Sequence, residues 1–460
     1  MTPLDLCYSS ATEQARLLRS GELSAREVVG AMLDRIASID PRLNSYRVVF
    51  ADQAMNAADE IDLNHDARDL PLLGVPVAVK DDVDVEGAVT AWGTSAQDRV
   101  APTDAPIVAA LRDAGAIVVG KTNCSELVVW PFTETAAWGA TRNPWNTDFS
   151  PGGSSGGSGA AVAAGLCGLA LGSDGLGSIR VPTSFTGVVG LNPQHGRVWT
   201  TDHDRNGLSS NGPLARTVAD AALFLDVAST DGHDGGYRAA IADPPGPLNV
   251  ALAWMPPARW PMAAKLGDAQ RRAVESTAAV LRDLGHTVTE HEVGFPAAAA
   301  NSYMMRYLTG VAECQALIDR PEAVSSRTRQ MARFGRWLDR SRPWAERAAT
   351  TFAGTILATF ETYDIVLTPG AVQRPTRIGE LDGRGAVRTL YESGRGIPHF
   401  APWNATGQPA ISIPAGFSEL GIPVSVQLAG RPHDEATLLQ LARQLEVAQP
   451  WDGRRPLLAA

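Results

Sequence analysis

Residues 151–180 read PGGSSGGSGAAVAAGLCGLALGSDGLGSIR and are the most informative stretch of the chain. Loops of glycine and serine at 151–159 and 172–180 flank an apolar run, which predicts a small-residue helix followed by a buried strand. Flexible linkers rarely bracket such a run, so we interpret the two loops as neighbours in space. Glycine lets a backbone approach a ligand closely, free N–H groups bind anions, and serine is a candidate nucleophile. The two loops therefore indicate a site for phosphate binding or for acyl transfer.

The rest of the chain alternates helical patterns with short β-branched runs, which predicts an α/β protein with helices packed on a sheet. Ser24 and Glu27 form a capping box that begins an amphipathic helix, and we expect Asp40-Pro41 to end it. The patterns predict further helices at 216–227, 270–284 and 434–447, and strands at 46–50, 75–80, 116–119, 249–253, 287–293, 364–368, 410–414 and 423–429. Because no linker or internal repeat divides the chain, we predict one domain over residues 1–460.

The composition is that of an ordinary globular protein, with 44% hydrophobic and 20% charged residues among 460. A formal net charge of -10 disfavours binding of nucleic acid by this chain alone. The four cysteines lie far apart without a C-x-x-C pair, so neither a disulfide framework nor a thiolate zinc site is predicted; they are Cys7, Cys124, Cys167 and Cys314. The N-terminus lacks a signal-peptide pattern, and no apolar run reaches eighteen residues. We therefore expect a cytoplasmic protein with no membrane partner.

Two familiar motifs match the chain but lack the context that they require. Residues 115–122, GAIVVGKT, satisfy the phosphate-loop pattern, yet Ala-Ile-Val-Val indicates a strand, and a strand cannot wrap a phosphate. Residues 152–156, GGSSG, satisfy the G-x-S-x-G pattern of α/β hydrolases, which needs a strand just before the serine and a histidine base. The preceding NTDFSP is a poor strand, and the candidate bases have no distinctive context; they are His195, His203 and His399. An esterase with a Ser-His-Asp triad is kept as an alternative.

Lys80 closes the apolar run LLGVPVAVK and is a candidate base that needs no histidine. A lysine at the end of a buried strand loses hydration, which favours the neutral amine and lets it accept a proton. The alternative is a structural ion pair with one of the nearby acidic residues, Asp81, Asp82 or Asp84. The segment alone favours the ion pair, whereas the two glycine-serine loops favour the base.

Taken together, Lys80 in GVPVAVKD, the PGGSSGGS loop and the GSDGLGSIR loop resemble the three catalytic segments of the amidase signature family. Ser178 follows Ser154 by 24 residues, the separation that this family uses between its two serines. Further segments resemble the family in the same order, whereas residues near 300 to 400 match least. These segments are GKTNCSEL (120–127), GATRNPWN (139–146), NGPLARTVADAALFLDV (211–227), NATGQPAISIPAG (404–416) and IPVSVQLAGRPHDEATLL (422–439).

The resemblance implies a single α/β domain with a mixed central sheet flanked by helices and a catalytic core at residues 70–225. It also implies hydrolysis of amide or related acyl bonds of a small molecule, with no metal or organic cofactor. It assigns Ser178 as the nucleophile, Ser154 as the bridging serine after a cis peptide bond, and Lys80 as the final proton acceptor. Ser155 is expected to support the lysine. The oxyanion hole is expected to consist of backbone N–H groups, those of Gly175, Leu176, Gly177 and Ser178.

Two positions depart from the family pattern. Leu176 stands where relatives usually carry glycine, and leucine resists a positive φ. We therefore expect either a negative φ at Leu176 or a shifted loop, and the leucine side chain is a candidate for narrowing the acyl pocket. Asn192 stands where a lysine is common, and we expect little consequence from it.

The resemblance leaves several functions open, and we favour a stand-alone amidase acting on neutral aryl or alkyl amides, with carbamates and esters also open. The second candidate is the glutamine-hydrolysing subunit of a tRNA-dependent amidotransferase. Segment 318–345 of this chain does not resemble the glutamine-binding region of that subunit. A family member without turnover is the third candidate. Four side chains are candidates for an apolar pocket, although core packing is the simpler interpretation: Trp130, Phe132, Trp138 and Tyr303. The sequence leaves open whether the chain forms a homodimer.

Overall fold

A computed structural model describes residues 1–200, 207–254, 264–294 and 296–459. The strands within these ranges are β1 (Tyr46–Val49), β2 (Pro76–Lys80), β3 (Ile117–Thr122), β4 (Glu134–Thr135), β5 (Gly139–Ala140), β6 (Leu169–Asp174), β7 (Val189–Asn192), β8 (Ser210–Ala215), β9 (Asn249–Leu252), β10 (Thr287–Glu290), β11 (Ile365–Pro369), β12 (Ala410–Phe417) and β13 (Pro423–Gly430). Eleven of these strands form one sheet in the order β1-β3-β2-β6-β8-β7-β12-β13-β11-β9-β10, and β4 pairs with β5.

The sheet is mixed, as the resemblance implied. Strand β2 lies between β3 and β6 and runs parallel to both, and β9 is parallel to both β11 and β10. The strands from β6 through β8, β7, β12 and β13 to β11 pair in antiparallel fashion. The predicted fold class, an α/β protein with a mixed central sheet, is confirmed.

The helices pack on this sheet and extend beyond it. They are α1 (Pro3–Tyr8), α2 (Ala11–Arg19), α3 (Ala25–Leu43), α4 (Ala51–Leu63), α5 (Pro106–Asp113), α6 (Gly156–Ala163), α7 (Arg180–Thr186), α8 (Val218–Ala228), α9 (Tyr237–Ala240), α10 (Asp268–Asp283), α11 (Ala297–Ala316), α12 (Ser326–Leu338), α13 (Arg342–Leu357), α14 (Ala386–Gly394), α15 (Ala401–Thr406) and α16 (Glu435–Ala448). Among the described residues, every helix is too short or too polar to serve as a membrane span.

Alternating side chains of the central strands supply two cores, one on each face of the sheet. On β2, Val77 and Val79 join one cluster, whose other members include residues of α5, α8, α10 and α16. Ala78 points the other way and joins a cluster with residues of α3, α4 and α6. Because both faces are covered, the middle of β2 is buried throughout, which explains its continuous apolar sequence.

Helix α3 begins as the capping box predicts but ends later than expected. The Ser24 side chain accepts from the Glu27 backbone, and the Glu27 side chain accepts from the Ser24 backbone. The prediction that Asp40-Pro41 ends the helix is wrong, because Pro41 lies inside the last turn and the helix runs to Leu43. Asn44 then ends it in the left-handed region, with its N–H donating to the carbonyl oxygen of Asp40 at 2.7 Å.

The informative stretch contains the predicted helix α6 and strand β6, but the predicted loops are shorter than expected. Residues 156–159 belong to α6 and residues 172–174 belong to β6. Strand β3 includes most of GAIVVGKT, so the strand interpretation of that motif is confirmed. Strands β7 and β8 are structural elements that the sequence patterns did not predict.

A third hydrophobic cluster lies where α11 and α12 pack on the loop after β3. Trp130 is buried there, and its indole N–H donates to Thr328 of α12 at 3.1 Å. From α11, the hydroxyl of Tyr307 donates to the carbonyl oxygen of Val129 at 2.6 Å. These helices cover one side of the site described next.

Candidate active site

Lys80 is the last residue of β2, and its side chain is fully buried. Because β2 and β6 are parallel, with Val79 opposite Leu171, the two strands end at the same edge of the sheet. There the hydroxyl oxygen of Ser173 on β6 lies 2.7 Å from Lys80 Nζ, and the Ser173 carbonyl oxygen lies 3.2 Å from it. Two neighbouring strand ends therefore fix the position of the amine.

Ser154 lies in the loop that precedes α6 and is almost fully buried. Its Oγ is 2.8 Å from Lys80 Nζ, and the peptide bond between Gly153 and Ser154 is cis. A side chain at Gly153 would find no space, because a Cβ there would lie 2.6 Å from the backbone nitrogen of Phe132. The glycine thus lets the loop pack on another segment of backbone and hold Ser154 beside the lysine.

Ser178 comes four residues after the end of β6 and is half-buried. Its carbonyl oxygen accepts a 3.1 Å hydrogen bond from the backbone N–H of Ser155. Gly177, which precedes it, has a φ of 93°, and a Cβ there would lie 2.7 Å from Cβ of Phe400. The second loop is thus folded tightly against the first, so Lys80, Ser154 and the backbone of Ser178 converge.

Ser155 is linked to the lysine through a shared group. Its hydroxyl donates to the carbonyl oxygen of Ser173 at 3.2 Å, and Lys80 Nζ contacts the same oxygen. Ser173 itself was not singled out from the sequence. The available signal was its place in the glycine-serine loop after a buried strand, but only the register between β2 and β6 shows that this strand ends beside Lys80.

Residues 175–178, the loop expected to supply the oxyanion hole and called the oxyanion loop below, are organised by the buried carboxylate of Asp174. Asp174 Oδ1 accepts from the backbone N–H of Gly177 at 2.6 Å, and Oδ2 accepts from that of Ile179 at 3.1 Å. The Gly177 N–H is therefore already engaged. Of the four expected donors, those of Gly175, Leu176 and Ser178 have no acceptor among the described residues.

Arg180 compensates the charge of Asp174 in a fully buried pair. Its Nε and Nη2 lie 2.9 and 3.0 Å from the two carboxylate oxygens. Although burial alone would raise the pKa of Asp174, Arg180 and hydrogen bonds such as that from Asn404 hold this pKa below its usual value. Gln427 accepts a further 2.8 Å hydrogen bond from Arg180, so the pair is anchored to the central strand β13.

Leu176 takes the first of the two expected conformations. It does not have a positive φ, so a leucine is accommodated without the strain that a left-handed backbone would impose. Its side chain is half-buried and packs on two clusters, one containing Trp130 and Tyr303 and the other containing Phe149 and Phe400. Leu176 therefore brings an apolar side chain into the loop two residues before Ser178.

Asp81, one of the three acidic residues of the ion-pair alternative, pairs with two other basic side chains. It binds Arg47, with Nε 2.5 Å from Oδ2, and Lys121, with Nζ 3.1 Å from Oδ1. Lys121 is fully buried in β3, where desolvation lowers its pKa, and it also donates to Thr90. The lysine of the phosphate-loop match thus serves a buried ion pair. Asp84 is exposed, whereas Asp82 forms the ion pair that the alternative predicted, with Oδ2 3.3 Å from Lys80 Nζ.

The described residues do not provide the context of a nucleophile elbow. No described strand leads directly into Ser154, since β5 ends at Ala140. His399 is buried, with Nε2 3.3 Å from the carbonyl oxygen of Trp254, and burial lowers its pKa to about 4. The backbone N–H of His195 donates to the carbonyl oxygen of Gly407, and His203 lies outside the described residues.

The aromatic candidates divide by burial. Three of them are almost fully buried in the core, where the simpler interpretation placed them: Trp130, Phe132 and Tyr303. Trp138 is half-buried, and the guanidinium of Arg47 lies 5.7 Å from the centre of its ring. The Tyr303 hydroxyl reaches the oxyanion loop through a 2.7 Å hydrogen bond to the carbonyl oxygen of Gly175.

The structure is that of an α/β protein in which the buried Lys80 lies within hydrogen-bond distance of Ser154 and Ser173. Comparisons with known proteins identify the family to which such a chain belongs. A family model described as Amidase matches residues 27–439. AmiB2 of Mycobacterium tuberculosis, which bears the name of an amidase, is 46% identical over 461 residues and 99% of each chain. A glutamyl-tRNA(Gln) amidotransferase subunit of Moorella thermoacetica is 33% identical over 506 residues and 99% of each chain. A solved structure of 6-aminohexanoate cyclic dimer hydrolase has a TM-score of 0.90 and 32% identity, covering 99% of each chain.

This chain therefore belongs to the amidase signature family. It is a hydrolase of the class that cleaves carbon–nitrogen bonds of amides.

Proposed function

We propose that this chain is a stand-alone amidase that hydrolyses neutral aryl or alkyl amides through an acyl-enzyme on Ser178. The observation that carries the proposal is the convergence of the three residues. Lys80 Nζ lies 2.8 Å from Ser154 Oγ, and the backbone N–H of Ser155, the residue after Ser154, donates a hydrogen bond to the carbonyl oxygen of Ser178. A serine hydroxyl attacks a carbonyl carbon effectively only when its proton leaves in the same step. Lys80 and Ser154 offer a path for that proton.

The hydrogen bonds around Lys80 accommodate a neutral amine. A neutral lysine has two N–H groups and one lone pair. Ser173 provides two acceptors, its hydroxyl and carbonyl oxygens, at 2.7 and 3.2 Å from Nζ. The lone pair is then available for the hydroxyl proton of Ser154, which makes the lysine a base for the relay.

In the proposed acylation, Ser178 Oγ attacks the carbonyl carbon while its proton passes to Ser154 and the Ser154 proton passes to Lys80. The relay then runs in reverse and protonates the leaving amine, so the carbon–nitrogen bond breaks and an ester on Ser178 remains. Water attacks this ester by the same route, releases the carboxylic acid and restores the serine. The enzyme ends the cycle with the protons it started with.

The developing negative charge on the substrate oxygen requires donors fixed in advance. We assign this role to the backbone N–H groups of Gly175, Leu176 and Ser178, with Gly177 holding the loop on Asp174. The carbonyl of Gly175 is held by Tyr303, so the loop is restrained from both sides.

An apolar, uncharged acyl group fits the surroundings of Leu176. Trp92, Met304 and Met305 are half-buried and pack on the same cluster as Leu176. One relative is named for the cyclic dimer of 6-aminohexanoate, which is chemically a cyclic diamide, so we add cyclic aliphatic amides to the substrate classes. Carbamates and esters present the same carbonyl geometry and are included.

The experiment is hydrolysis by the purified chain alone. We expect turnover of anilides, alkyl amides, cyclic amides or phenyl carbamates without a partner chain or tRNA. Lys80→Ala, Ser154→Ala and Ser178→Ala should each abolish it, whereas Ser158→Ala, which changes a buried serine of α6 bonded to Thr122, should retain it. Ammonia release from glutamine only when a partner and tRNA are added would establish the amidotransferase alternative. Folded protein with no turnover of any of these substrates would favour a non-catalytic member.

The same proposal covers organisation and location. We propose that residues 70–225 contain the catalytic core and that the chain works in the cytoplasm, where its four buried cysteines would stay reduced. We propose no partner other than the small-molecule substrate, and size-exclusion chromatography with light scattering would decide between a monomer and a homodimer.

A further inference from the structure

Asp82 is a buried acidic side chain beside Lys80 that the steps above do not use. It is 6% exposed, and its Oδ2 lies 2.5 Å from Ser173 Oγ and 3.3 Å from Lys80 Nζ. Its other oxygen, Oδ1, is buried without a hydrogen-bond partner among the described residues. A buried carboxylate is costly unless its charge is compensated and hydrogen-bonded. The charge of Asp82 is therefore tied to Ser173 and Lys80.

Ser173 connects the carboxylate to the amine in a fixed direction. An ionised carboxylate only accepts hydrogen bonds, so the Ser173 hydroxyl donates to Asp82. The lone pairs of that hydroxyl are then left to accept from Lys80. Ser173 accepts in this way whether the amine is neutral or protonated, but a carboxylate at ion-pair distance favours the protonated form.

The other ionisable groups around Lys80 are already compensated or neutral. On the neighbouring segments Asp81 is held by two basic side chains and Asp174 by one, as described above. Cys124, which follows β3, is fully buried, and desolvation raises its pKa well above the usual value, so its thiol is neutral. Helix α6, which also packs on β2, has the sequence GGSGAAVA and brings no ionisable side chain. Of the carboxylates named here, Asp82 is the one at ion-pair distance from Lys80.

We propose that Asp82 is a positioning residue that holds Lys80 through Ser173 and acts as the counter-ion of the ammonium formed when Lys80 takes the proton of Ser154. This inference rests on the proposed function, because it assigns the charge partner of the proton relay. The ammonium forms in the same step as the oxyanion, and a carboxylate 3.3 Å away stabilises it until the proton passes to the leaving amine. The same charge sets the pH below which Lys80 is no longer a base.

The composition of the chain permits a direct test, because it contains only three lysines, Lys80, Lys121 and Lys265. Lysine labelled with 13C at Cε gives three NMR signals, which substitution of each lysine in turn assigns. In Asp82→Asn the amide oxygen can still accept from Ser173 while the charge is lost. We expect the midpoint of the Lys80 titration to fall by about 1–3 pH units. A midpoint that is unchanged or higher overturns the proposal.

Two controls accompany this titration. Asp84→Asn removes an exposed charge two residues farther along the same loop and should leave the Lys80 midpoint nearly unchanged. The Lys121 signal should keep its position in Asp82→Asn, because its carboxylate partner is Asp81. An equal shift in Asp84→Asn would mean that the net charge of the loop, rather than Asp82, acts on the lysine.

Kinetics supply a second readout that a purely structural role would not produce. In Asp82→Asn we expect kcat/KM on its plateau to fall by about a hundredfold, as for loss of one fixed electrostatic stabiliser. The acidic limb of the pH profile should move to lower pH together with the NMR midpoint. A lower rate with an unmoved limb would overturn the proposal.

A further variant keeps the test decisive if Asp82→Asn does not fold. Ser173→Ala removes the bridging hydroxyl but keeps the charge, so the rate should fall while the acidic limb does not move to lower pH. A downward move in Ser173→Ala would overturn the proposal. Reaction of Ser178 with an acylating probe is measured separately in the wild-type protein: no reaction there rejects the proposed function, whereas reaction with an unmoved acidic limb rejects only the role of Asp82.

Discussion

The hydroxyl of Tyr303 donates a 2.7 Å hydrogen bond to the carbonyl oxygen of Gly175, the first residue of the oxyanion loop. Tyr303 belongs to α11, whereas Gly175 follows β6 in the glycine-serine stretch. Helix α11 thus holds the proposed oxyanion loop from outside, while Asp174 holds the same loop from inside. This relationship predicts that substitutions in α11 change catalysis without touching a reacting atom.

Tyr303→Phe tests this coupling. Removing the hydroxyl leaves the Gly175 carbonyl without its donor, so we expect a stability cost of about 1 kcal/mol. Because displaced oxyanion donors stabilise the transition state less well, kcat should fall by at least about tenfold. Tyr307→Phe is the matched control: Tyr307 is also buried on α11, but its hydroxyl donates to Val129. A similar stability cost with unchanged kcat is expected there, and equal losses of kcat in the two variants would contradict the coupling.

Leu176→Ala should widen the acyl side of the site. The leucine is half-buried beside Gly177 and packs on two clusters. We expect kcat/KM for a substrate with a bulky acyl group, divided by kcat/KM for its acetyl analogue, to rise by at least about tenfold. Changes of this size in discrimination are typical when an apolar pocket gains or loses room for a methylene group. Leu390→Ala removes another half-buried leucine from one of these clusters and should leave the ratio unchanged. An unchanged ratio in Leu176→Ala would exclude this side chain from the pocket.

Asp174→Asn should damage both stability and activity. It leaves the guanidinium of Arg180 buried without its counter-charge, and breaking such a pair costs about 3–5 kcal/mol. Because the folded protein holds the pKa of Asp174 below its usual value, the carboxylate contributes its full stabilisation at every pH above the usual value and loses it only in acid. The loss of unfolding free energy in Asp174→Asn should therefore be constant around neutral pH. Asp231→Asn, which breaks the exposed end of a pair with Arg197, should cost about 1 kcal/mol or less. Denaturant unfolding of both variants checks the contrast, and equal costs would contradict it.

His399 predicts a window of acid sensitivity. Burial lowers its pKa from 6.5 to about 4, so between these pH values the unfolded chain binds a proton that the folded chain does not. Stability should fall as the pH falls through this window, with a contribution from this residue of up to about 3 kcal/mol. In His399→Gln the loss between pH 6.5 and 4 should be smaller, whereas the exposed His291→Gln should follow the wild-type protein. Urea midpoints across the window measure this, and parallel curves for all three would refute it.

Features that depend on local sequence patterns could be predicted from the sequence. Lys80 and the two glycine-serine loops were found because a buried strand ending in lysine and small-residue loops are visible in one dimension. The prediction that Asp40-Pro41 ends α3 was wrong because the chain stays helical through Leu43, and the N–H of Asn44 closes the last turn on the carbonyl of Asp40. Residues 189–192 and 210–215 did not stand out as strands, and their pairing with each other is a property of the whole sheet.

The contributions of Ser173, Asp82 and Tyr303 depend on contacts over long sequence separations. Ser173 meets Lys80 across 93 residues and Tyr303 meets Gly175 across 128, and no local pattern records such contacts. Asp82 was visible as a neighbour of Lys80, but so were Asp81 and Asp84. Only the exposure of Asp84 and the two basic partners of Asp81 distinguish these residues from Asp82.

The central claim is that Ser178 forms the acyl-enzyme with the help of Lys80, and covalent labelling tests it most directly. The wild-type protein is treated with a serine-directed sulfonylating or acylating inhibitor, its intact mass is measured, and the modified peptide is sequenced. The account predicts one adduct per chain on Ser178, no adduct in Ser178→Ala, and much slower labelling in Lys80→Ala. An adduct on Ser154, or a folded wild-type protein that no such inhibitor modifies, would contradict it.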